Sequence, residues 1–96
     1  MEIALGRYVF NGPQSLDSIE AKAGVYAILR HRGQDIDLLE VGESKHLQDR
    51  LHTHKHLHAW RKDRSGKVAI FVHYMPAILD MRRREIAQEI KEELAS

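Results

Sequence analysis

The segment from Gly24 to Arg50 constrains the fold of this chain more than any other part of the sequence. It holds two apolar runs, 24–29 and 36–42, on either side of a polar turn that contains Gly33. Two such runs joined by a short glycine-containing turn are typical of a β-hairpin. The residues after the second run have helical spacing, so the sequence predicts a hairpin that leads into a helix.

The remaining elements follow from the same kinds of pattern. The hairpin strands are predicted over Val25–Arg30 and Ile36–Val41. The other predicted elements are a short strand over Arg7–Phe10, a helical turn over Ser15–Ile19, a helix with Ser44 as N-cap that frays around Trp60, a strand over Lys67–Tyr74 and a helix from about Leu79 to Glu93. Together they predict one domain over residues 1–96 of the α+β class, with a small antiparallel sheet of three main strands flanked by α-helices.

Burial is predicted for two of these elements. The strand over 67–74 is rich in β-branched and aromatic residues, which indicates a central or well-covered position. The final helix carries an apolar stripe that we expect to face the core, while its charged residues lie outside. The stripe consists of Leu79, Ile86, Ile90 and Leu94, and the charged set of Arg82, Arg83, Glu85, Glu89 and Glu92.

Composition narrows the class of protein. The chain has 96 residues and no cysteine, which excludes a disulfide framework and a thiolate metal site. No apolar run approaches the length that crosses a bilayer, and the first residues lack the basic start and long apolar centre of a signal peptide. These features predict a cytoplasmic protein.

Positive charge is concentrated in the middle of a chain whose formal net charge is only +1. Residues 45–67 contain seven lysines or arginines and five histidines but only two acidic residues. Such a stretch is either an anion-binding face, with DNA as the partner, or an ordinary solvated helix face. The candidate phosphate-contacting residues, called the basic rim below, are Lys45, His46, Lys55, Arg61, Lys62, Arg64 and Lys67. Within the rim, Trp60 is either a core or edge anchor or a base-stacking platform, and the arginines at 82–84 either extend the rim or mark an exposed helix start.

Four histidines alternate with other residues over 52–58. On one continuous helix His52 and His56 would pair at i,i+4, as would His54 and His58, and this spacing can ligate zinc or nickel. The sequence offers no third strong ligand nearby, so a metal site is the weaker interpretation. The stronger one puts part of this run on a DNA-facing surface, with His54 in contact with a phosphate.

Four polar residues of the hairpin and the following helix form a candidate catalytic group: Tyr26, Glu40, Glu43 and Arg50. Tyr26 and Glu40 are expected close together on neighbouring strands, and helical spacing lets Arg50 point back over the sheet. An arginine can bind a phosphate oxygen and stabilise a pentacoordinate transition state, and a phenol of lowered pKa can accept a proton from water. The alternative, on residue chemistry alone, is a packed strand tyrosine and a solvated helix arginine.

A family resemblance favours the catalytic interpretation. The chain resembles the GIY-YIG nuclease family, and within it the small stand-alone bacterial domains. Residues 24–26, Gly-Val-Tyr, match the first signature triplet, whereas residues 40–42, Glu-Val-Gly, match the second only in their last two positions. The remaining matches are Glu43, Ser44, Leu47, Arg50, Leu51 and His54, with a lead-in of Tyr8, Gly12 and Leu16 and an arginine-rich final helix.

The resemblance implies both a fold and a chemistry. The implied fold is a three-stranded antiparallel sheet flanked by helices, and the implied reaction is hydrolysis of a DNA phosphodiester with one divalent metal, Mg²⁺ or Mn²⁺. Tyr26 would be the general base or would orient the attacking water, and Arg50 would hold the scissile phosphate. Glu40 and His54 would complete the catalytic group, and a glutamate of the final helix would ligate the metal. Domains of this size often need a second copy to recognise a target, so a homodimer is one expected assembly.

Two positions depart from the family pattern. Glu40 stands where the family has its second tyrosine, and it can serve as a base or as a neighbour of the metal. Aligned on Ile86 and Ile90, the metal-ligand position is Ala87, whose methyl group cannot ligate a metal. Glu85 or Glu89 would take that role only in a different register, because two residues along a helix turn a side chain by about 200°.

These departures leave three interpretations of the chain: a natural non-cutting relative, a domain disabled by substitution, or a different helical register. We expect a DNA endonuclease-like domain that is inactive as given if position 87 is the ligand position. The alternative function is a non-catalytic nucleic-acid-binding or interaction module that keeps the nuclease fold. A histidine-rich metal-binding domain is the third function considered.

Overall fold

The structure, a computed structural model, describes residues 1–63 and 65–95 and confirms the α+β class. The strands are β1 Glu2–Leu5, β2 Tyr8–Asn11, β3 Gly24–Arg32, β4 Asp35–Ser44 and β5 Lys67–Tyr74. The helices are α1 Leu47–His52, α2 Lys55–Lys62 and α3 Asp80–Ala95, and a single 3₁₀ turn covers Leu16–Ser18. Within the described ranges no helix has the length and apolar character needed to cross a membrane.

The five strands form one antiparallel sheet in the order β1-β2-β5-β3-β4, so the prediction of three main strands is wrong in number. β2 corresponds to the short strand predicted over Arg7–Phe10, and the strand that was not predicted is β1, which pairs with β2 across a turn where Gly6 has a φ of 62°. Only Ile3 and Leu5 of β1 are half-buried, so its apolar pattern is too short to predict a strand. β5 is the middle strand of the five, as its composition predicts.

Both faces of the sheet are covered, which explains the uninterrupted apolar run at the start of β3. Successive side chains of a strand point to opposite faces. Val25 and Ala27 therefore pack in the cluster that contains the buried residues of α3. Tyr26 and Ile28 pack in the second cluster, with the buried leucines of α1 and α2.

The helix predicted after the hairpin is interrupted, because α1 ends at His52 and α2 begins at Lys55. Leu51 and Leu57 are both fully buried. They are six residues apart and cannot share one side of a straight helix. Burying both therefore requires a break, and His54 lies in it as the N-cap of α2.

The predicted bounds of this helical region are also wrong. Ser44 is not an N-cap but the last residue of β4, and its Oγ accepts a hydrogen bond from the His46 N–H at 3.0 Å. α2 continues to Lys62, beyond the point around Trp60 where fraying was predicted.

The core face of α3 differs from the predicted stripe. Ile86 and Ile90 are buried as predicted, but Leu79 and Leu94 are 80% and 45% exposed. Arg83, which was predicted to lie outside, is only 2% exposed.

A buried guanidinium is stable only where its N–H groups are satisfied. Arg83 Nε donates to Glu43 Oε2 at 3.2 Å, Nη1 donates to the Ile78 carbonyl at 2.5 Å, and Nη2 pairs with Asp80. These contacts join the start of α3 to the end of β4.

Candidate functional site

A cleft lies over the outer edge of the sheet, where β4 runs between α1 and α3. Its volume is about 360 Å³, within the range of small-ligand pockets. The residues that line it are Tyr26, Glu40, Val41, Gly42, Glu43, Arg50, Arg84, Ala87, Gln88 and Lys91. All four residues of the predicted catalytic group therefore meet here, with Tyr26, Glu40 and Glu43 coming from the strands and Arg50 from α1.

The register of the hairpin brings Tyr26 and Glu40 together. Tyr26 is paired with Gly42, and Glu40 lies two residues further along β4 on the same face. A Cβ at position 42 would lie 2.4 Å from the Tyr26 hydroxyl oxygen, so only glycine lets the phenol cross β4 at this point. The Tyr26 hydroxyl then donates a hydrogen bond to Glu40 Oε2 at 2.7 Å.

His54 approaches the same carboxylate oxygen from the break between α1 and α2. Its Nε2 lies 2.5 Å from Glu40 Oε2, and its Nδ1 accepts a hydrogen bond from the Leu57 N–H at 2.9 Å. Because Nδ1 is an acceptor, the ring proton is on Nε2, which donates to Glu40. The ring is only 1% exposed, so His54 does not lie on an exposed DNA-facing surface as the sequence suggested.

Glu40 is ionised in this arrangement. Partial burial alone would raise the pKa of its carboxyl group, but hydrogen bonds from His54 and Tyr26, with the positive charge of Arg50 nearby, outweigh burial and lower that pKa. Glu40 is thus a carboxylate that accepts two hydrogen bonds on one oxygen.

The pKa of the Tyr26 phenol is raised, whereas the role of general base assumed a lowered pKa. Burial raises its pKa, and the hydrogen bond to Glu40 and the charge of that carboxylate raise it further, while Arg50 only partly offsets them. Tyr26 therefore stays protonated at neutral pH, and it cannot act as a free phenolate base. Of the two groups, Glu40 is the ionised one, and its Oε2 accepts the hydrogen bond that the Tyr26 hydroxyl donates.

We expect the Glu40 contacts to make stability depend on pH. The ordinary pKa of a glutamate is 4.5, and the pKa of Glu40 in the folded protein is lower. The stability that the Glu40 contacts contribute is therefore complete above the ordinary pKa and is lost as pH falls through the folded pKa. In Glu40→Gln this contribution is absent. The difference in urea midpoint between the native chain and Glu40→Gln is therefore expected to shrink between about pH 7 and about pH 3.

Asp35→Asn is the control for this pH experiment, because Asp35 lies exposed at the start of β4. Its midpoint relative to the native chain is expected to change less over the same range. A difference between the native chain and Glu40→Gln that stays constant with pH would contradict the lowered pKa.

Three of the residues that line the cleft are basic. Arg50, Arg84 and Lys91 line it, and their side chains contribute three positive charges. Arg84 is 71% exposed and lies 3.5 Å from Glu43 through its Nε. These cations come from α1 and from one side of α3, so only the packing of both helices on β4 brings them together.

Two of these lining residues, Gln88 and Lys91, were missed by sequence reasoning. Lys91 lies four residues after Ala87 and Gln88 four after Arg84, which puts all of them along one side of α3. Adding one helical turn after Ala87 and Arg84 on the same side of α3 would have identified both residues.

Ala87 forms part of the cleft wall, and it is 4% exposed. Glu85 and Glu89 are not among the lining residues. Both pair with Arg82 at 3.1 Å, and Glu89 also accepts a hydrogen bond from the Tyr8 hydroxyl at 3.5 Å. The helical register therefore directs alanine, and neither neighbouring glutamate, into the cleft.

The residues of the cleft do not fit a divalent metal. Mg²⁺ and Mn²⁺ prefer carboxylate oxygens as ligands, but Oε2 of Glu40 already accepts two hydrogen bonds and both oxygens of Glu43 face arginines. Position 87 supplies a methyl group. In the part of the chain that the structure describes, no group of three histidine or carboxylate side chains is arranged to hold a metal ion.

The histidine run does not form the predicted i,i+4 pairs, because the helix ends at His52. His54 is bonded to Glu40, and His58 Nε2 lies 2.7 Å from the His52 carbonyl oxygen. The His56 ring instead lies against Trp60, with 5.7 Å between ring centroids. A zinc or nickel site built on this run is therefore not supported by the geometry.

The described members of the basic rim lie on the surface. Trp60 is half-buried against the second core cluster, which is the position of an edge anchor. Of the arginines at 82–84, only Arg84 borders the cleft, since Arg83 is buried and Arg82 pairs with glutamates of its own helix. The exposed members of the rim are Lys45, His46, Lys55, Arg61, Lys62 and Lys67, and Arg64 lies outside the described residues.

Comparison of the chain with protein-family models, with curated proteins and with solved structures finds no match.

Proposed function

We propose that this chain is a GIY-YIG-like domain whose cleft binds a phosphodiester of DNA, and that with alanine at position 87 it binds DNA without cutting it. One observation carries this proposal: Arg50, Arg84 and Lys91 converge on a cleft whose carboxylates are already engaged by protein groups. Such a cleft suits an anionic ligand better than a cation.

The charges of the cleft support a phosphodiester in particular. Three cations face two carboxylates, and Glu43 is also neutralised by Arg83 from the core side. A guanidinium offers paired N–H donors that match two oxygens of one phosphate, which a lysine cannot do. Arg50 and Arg84 can therefore contact a phosphate in the cleft while Lys91 adds charge at its edge.

DNA is the polymer that best fits the surroundings of the cleft. The exposed cations of the basic rim lie on α2, on the loop before α1 and at the start of β5. A backbone with a phosphate at every nucleotide can contact the cleft and the rim at once, whereas a single small anion cannot. Binding of this kind weakens steeply as the salt concentration rises.

The Tyr26–Glu40–His54 hydrogen-bond chain favours a second candidate function for the same cleft, phosphodiester hydrolysis. A water bonded to the Tyr26 oxygen could pass a proton to Tyr26 while Tyr26 passes its own proton to Glu40 Oε2. The balanced result is a hydroxide-like nucleophile and a neutral Glu40, with Arg50 beside the phosphate. Hydrolysis in this family also needs a metal, for which the cleft lacks a ligand at position 87.

Arg50→Ala tests the binding function. We expect the affinity for a short DNA duplex, measured by fluorescence anisotropy at low salt, to fall about 10- to 100-fold, because one charge-assisted phosphate contact is lost. Binding by the native chain is expected to be the same with EDTA as with Mg²⁺, apart from ordinary screening of charge.

Arg7→Ala is the matched control, because Arg7 is an exposed arginine in the turn between β1 and β2. It is expected to change the affinity less than twofold. Equal binding by Arg50→Ala and the native chain would contradict the proposed use of the cleft. Arg50-dependent nicking of supercoiled plasmid by the native chain in Mg²⁺ would instead establish hydrolysis and contradict binding without cutting.

A further inference from the structure

Three apolar side chains next to the cleft are exposed without a structural reason in this chain. Ile78, Leu79 and Met81, called the apolar tip below, are 39%, 80% and 69% exposed. Single exposed apolar residues are common, but three within four positions form a patch of the kind that marks an interaction site.

The backbone under the apolar tip is held in place. The Ile78 carbonyl accepts a hydrogen bond from buried Arg83 at 2.5 Å, and the Ile78 N–H donates to the Met75 carbonyl at 3.3 Å. The Leu79 carbonyl accepts the first hydrogen bond of α3, from the Arg83 N–H at 3.1 Å. The tip is therefore presented to solvent by a fixed loop.

Two cations lie near the apolar tip. Lys45 lines the shallow groove that contains Ile78 and Leu79. A hydrogen bond from Arg83 is the main cause of the lowered pKa of Asp80, which lies between Leu79 and Met81. The charges of Lys45 and Arg84 lower that pKa further, so both cations are close to the tip. Arg84 also lines the cleft, so the tip and the cleft are neighbours on one surface.

We infer that the apolar tip is a wedge that inserts between two base pairs of DNA bound in the cleft. This inference rests on the proposed function. Leucine, isoleucine and methionine wedges partly unstack a base step and kink the duplex, while nearby cations hold the phosphates on either side. The apolar tip, with Lys45 and Arg84 nearby, combines the same kinds of group. A stable interface with a second copy buries about 800 Å² per partner, which three side chains do not supply.

The experiment compares the native chain, Leu79→Ser and Leu94→Ser on a duplex that contains 2-aminopurine, whose fluorescence rises when its stacking is lost. Leu94 is the matched control, because it is a partly exposed leucine at the other end of α3. We expect binding of the native chain and of Leu94→Ser to raise the fluorescence at least twofold. Leu79→Ser is expected to bind about tenfold more weakly and, at saturation, to leave the fluorescence unchanged.

Each contrary result has a distinct meaning. If the native chain binds the duplex through Arg50 but Leu79→Ser gives the same affinity and fluorescence, the wedge is overturned and the proposed function stands. If the native chain forms a dimer in light scattering that Leu79→Ser converts to monomer, the tip is an interface between copies and the wedge is overturned. If the native chain does not bind the duplex, the proposed function fails, and the wedge fails with it.

Discussion

Replacing Ala87 by glutamate is expected to give the chain nicking activity on supercoiled plasmid in the presence of Mg²⁺ or Mn²⁺. Ala87 lines the cleft beside Tyr26, Glu40 and Arg50. A carboxylate at this position would supply the ligand that the cleft lacks, next to the arginine that we propose contacts the phosphate.

The same substitution has an expected effect on stability that does not depend on activity. Ala87 is 4% exposed, so a carboxylate there loses part of its hydration and lowers the free energy of unfolding by about 1–3 kcal/mol. A metal that binds only the folded state restores stability in proportion to its concentration over its dissociation constant. We therefore expect Mn²⁺ to raise the Tm of Ala87→Glu and to leave the Tm of the native chain nearly unchanged.

Ala87→Gln is the matched control, because glutamine has nearly the same size as glutamate but no charge. It is expected to lose stability without gaining nicking or an Mn²⁺-dependent Tm. Adding Arg50→Ala to Ala87→Glu is expected to lower the nicking rate about 10²- to 10³-fold. A folded Ala87→Glu variant with neither nicking nor an Mn²⁺-dependent rise in Tm would contradict the assignment of position 87 as the ligand position.

His54→Ala is expected to cost more stability than any other single histidine substitution in the run 52–58. The change removes the N-cap of α2 and the partner of Glu40. Loss of a cap costs about 1 kcal/mol and loss of a buried partner of a charged group about 1–3 kcal/mol. The sum is about 3 kcal/mol, which corresponds to a fall in Tm of roughly 10–20 °C for a domain of this size.

Urea unfolding followed by the fluorescence of Trp60, the single tryptophan of the chain, measures this loss. His56→Ala is the control, since His56 is exposed and contacts its neighbours only through its ring. It is expected to change the free energy of unfolding by less than about 0.5 kcal/mol. Equal midpoints for His54→Ala and His56→Ala would show that the Glu40–His54 contact does not hold the helices to the sheet.

The candidate site was predictable where it depends on strand pairing and on helical periodicity. Tyr26 and Glu40 were expected close together because a short turn pairs the two strands of the hairpin side by side. Ile86 and Ile90 are buried as predicted, and Ala87 beside them lines the cleft. Glu85 and Glu89 are then directed elsewhere by rotation about the helix axis.

The roles of the charged residues were less predictable, because they depend on partners distant in the chain. Arg83 looks like any exposed arginine of the run 82–84, yet Glu43, 40 residues away, and the Ile78 carbonyl make its burial favourable. Tyr26 could have been a base or a donor, and the choice follows from its burial and from the carboxylate it contacts. No local pattern indicates either outcome.

The sequence by itself determined the elements that rest on local periodicity: the hairpin, the central strand β5 and the helix α3. Only the tertiary structure decided that the hairpin belongs to a five-stranded sheet, that the middle helix breaks at His54, and that Glu40 is the ionised acceptor between Tyr26 and His54. The physical reason is the separation along the chain over which each kind of interaction acts. Periodicity and capping act over a few residues, whereas burial, hydrogen bonding and the pKa of a carboxyl group depend on which distant side chains the fold brings within about 3 Å.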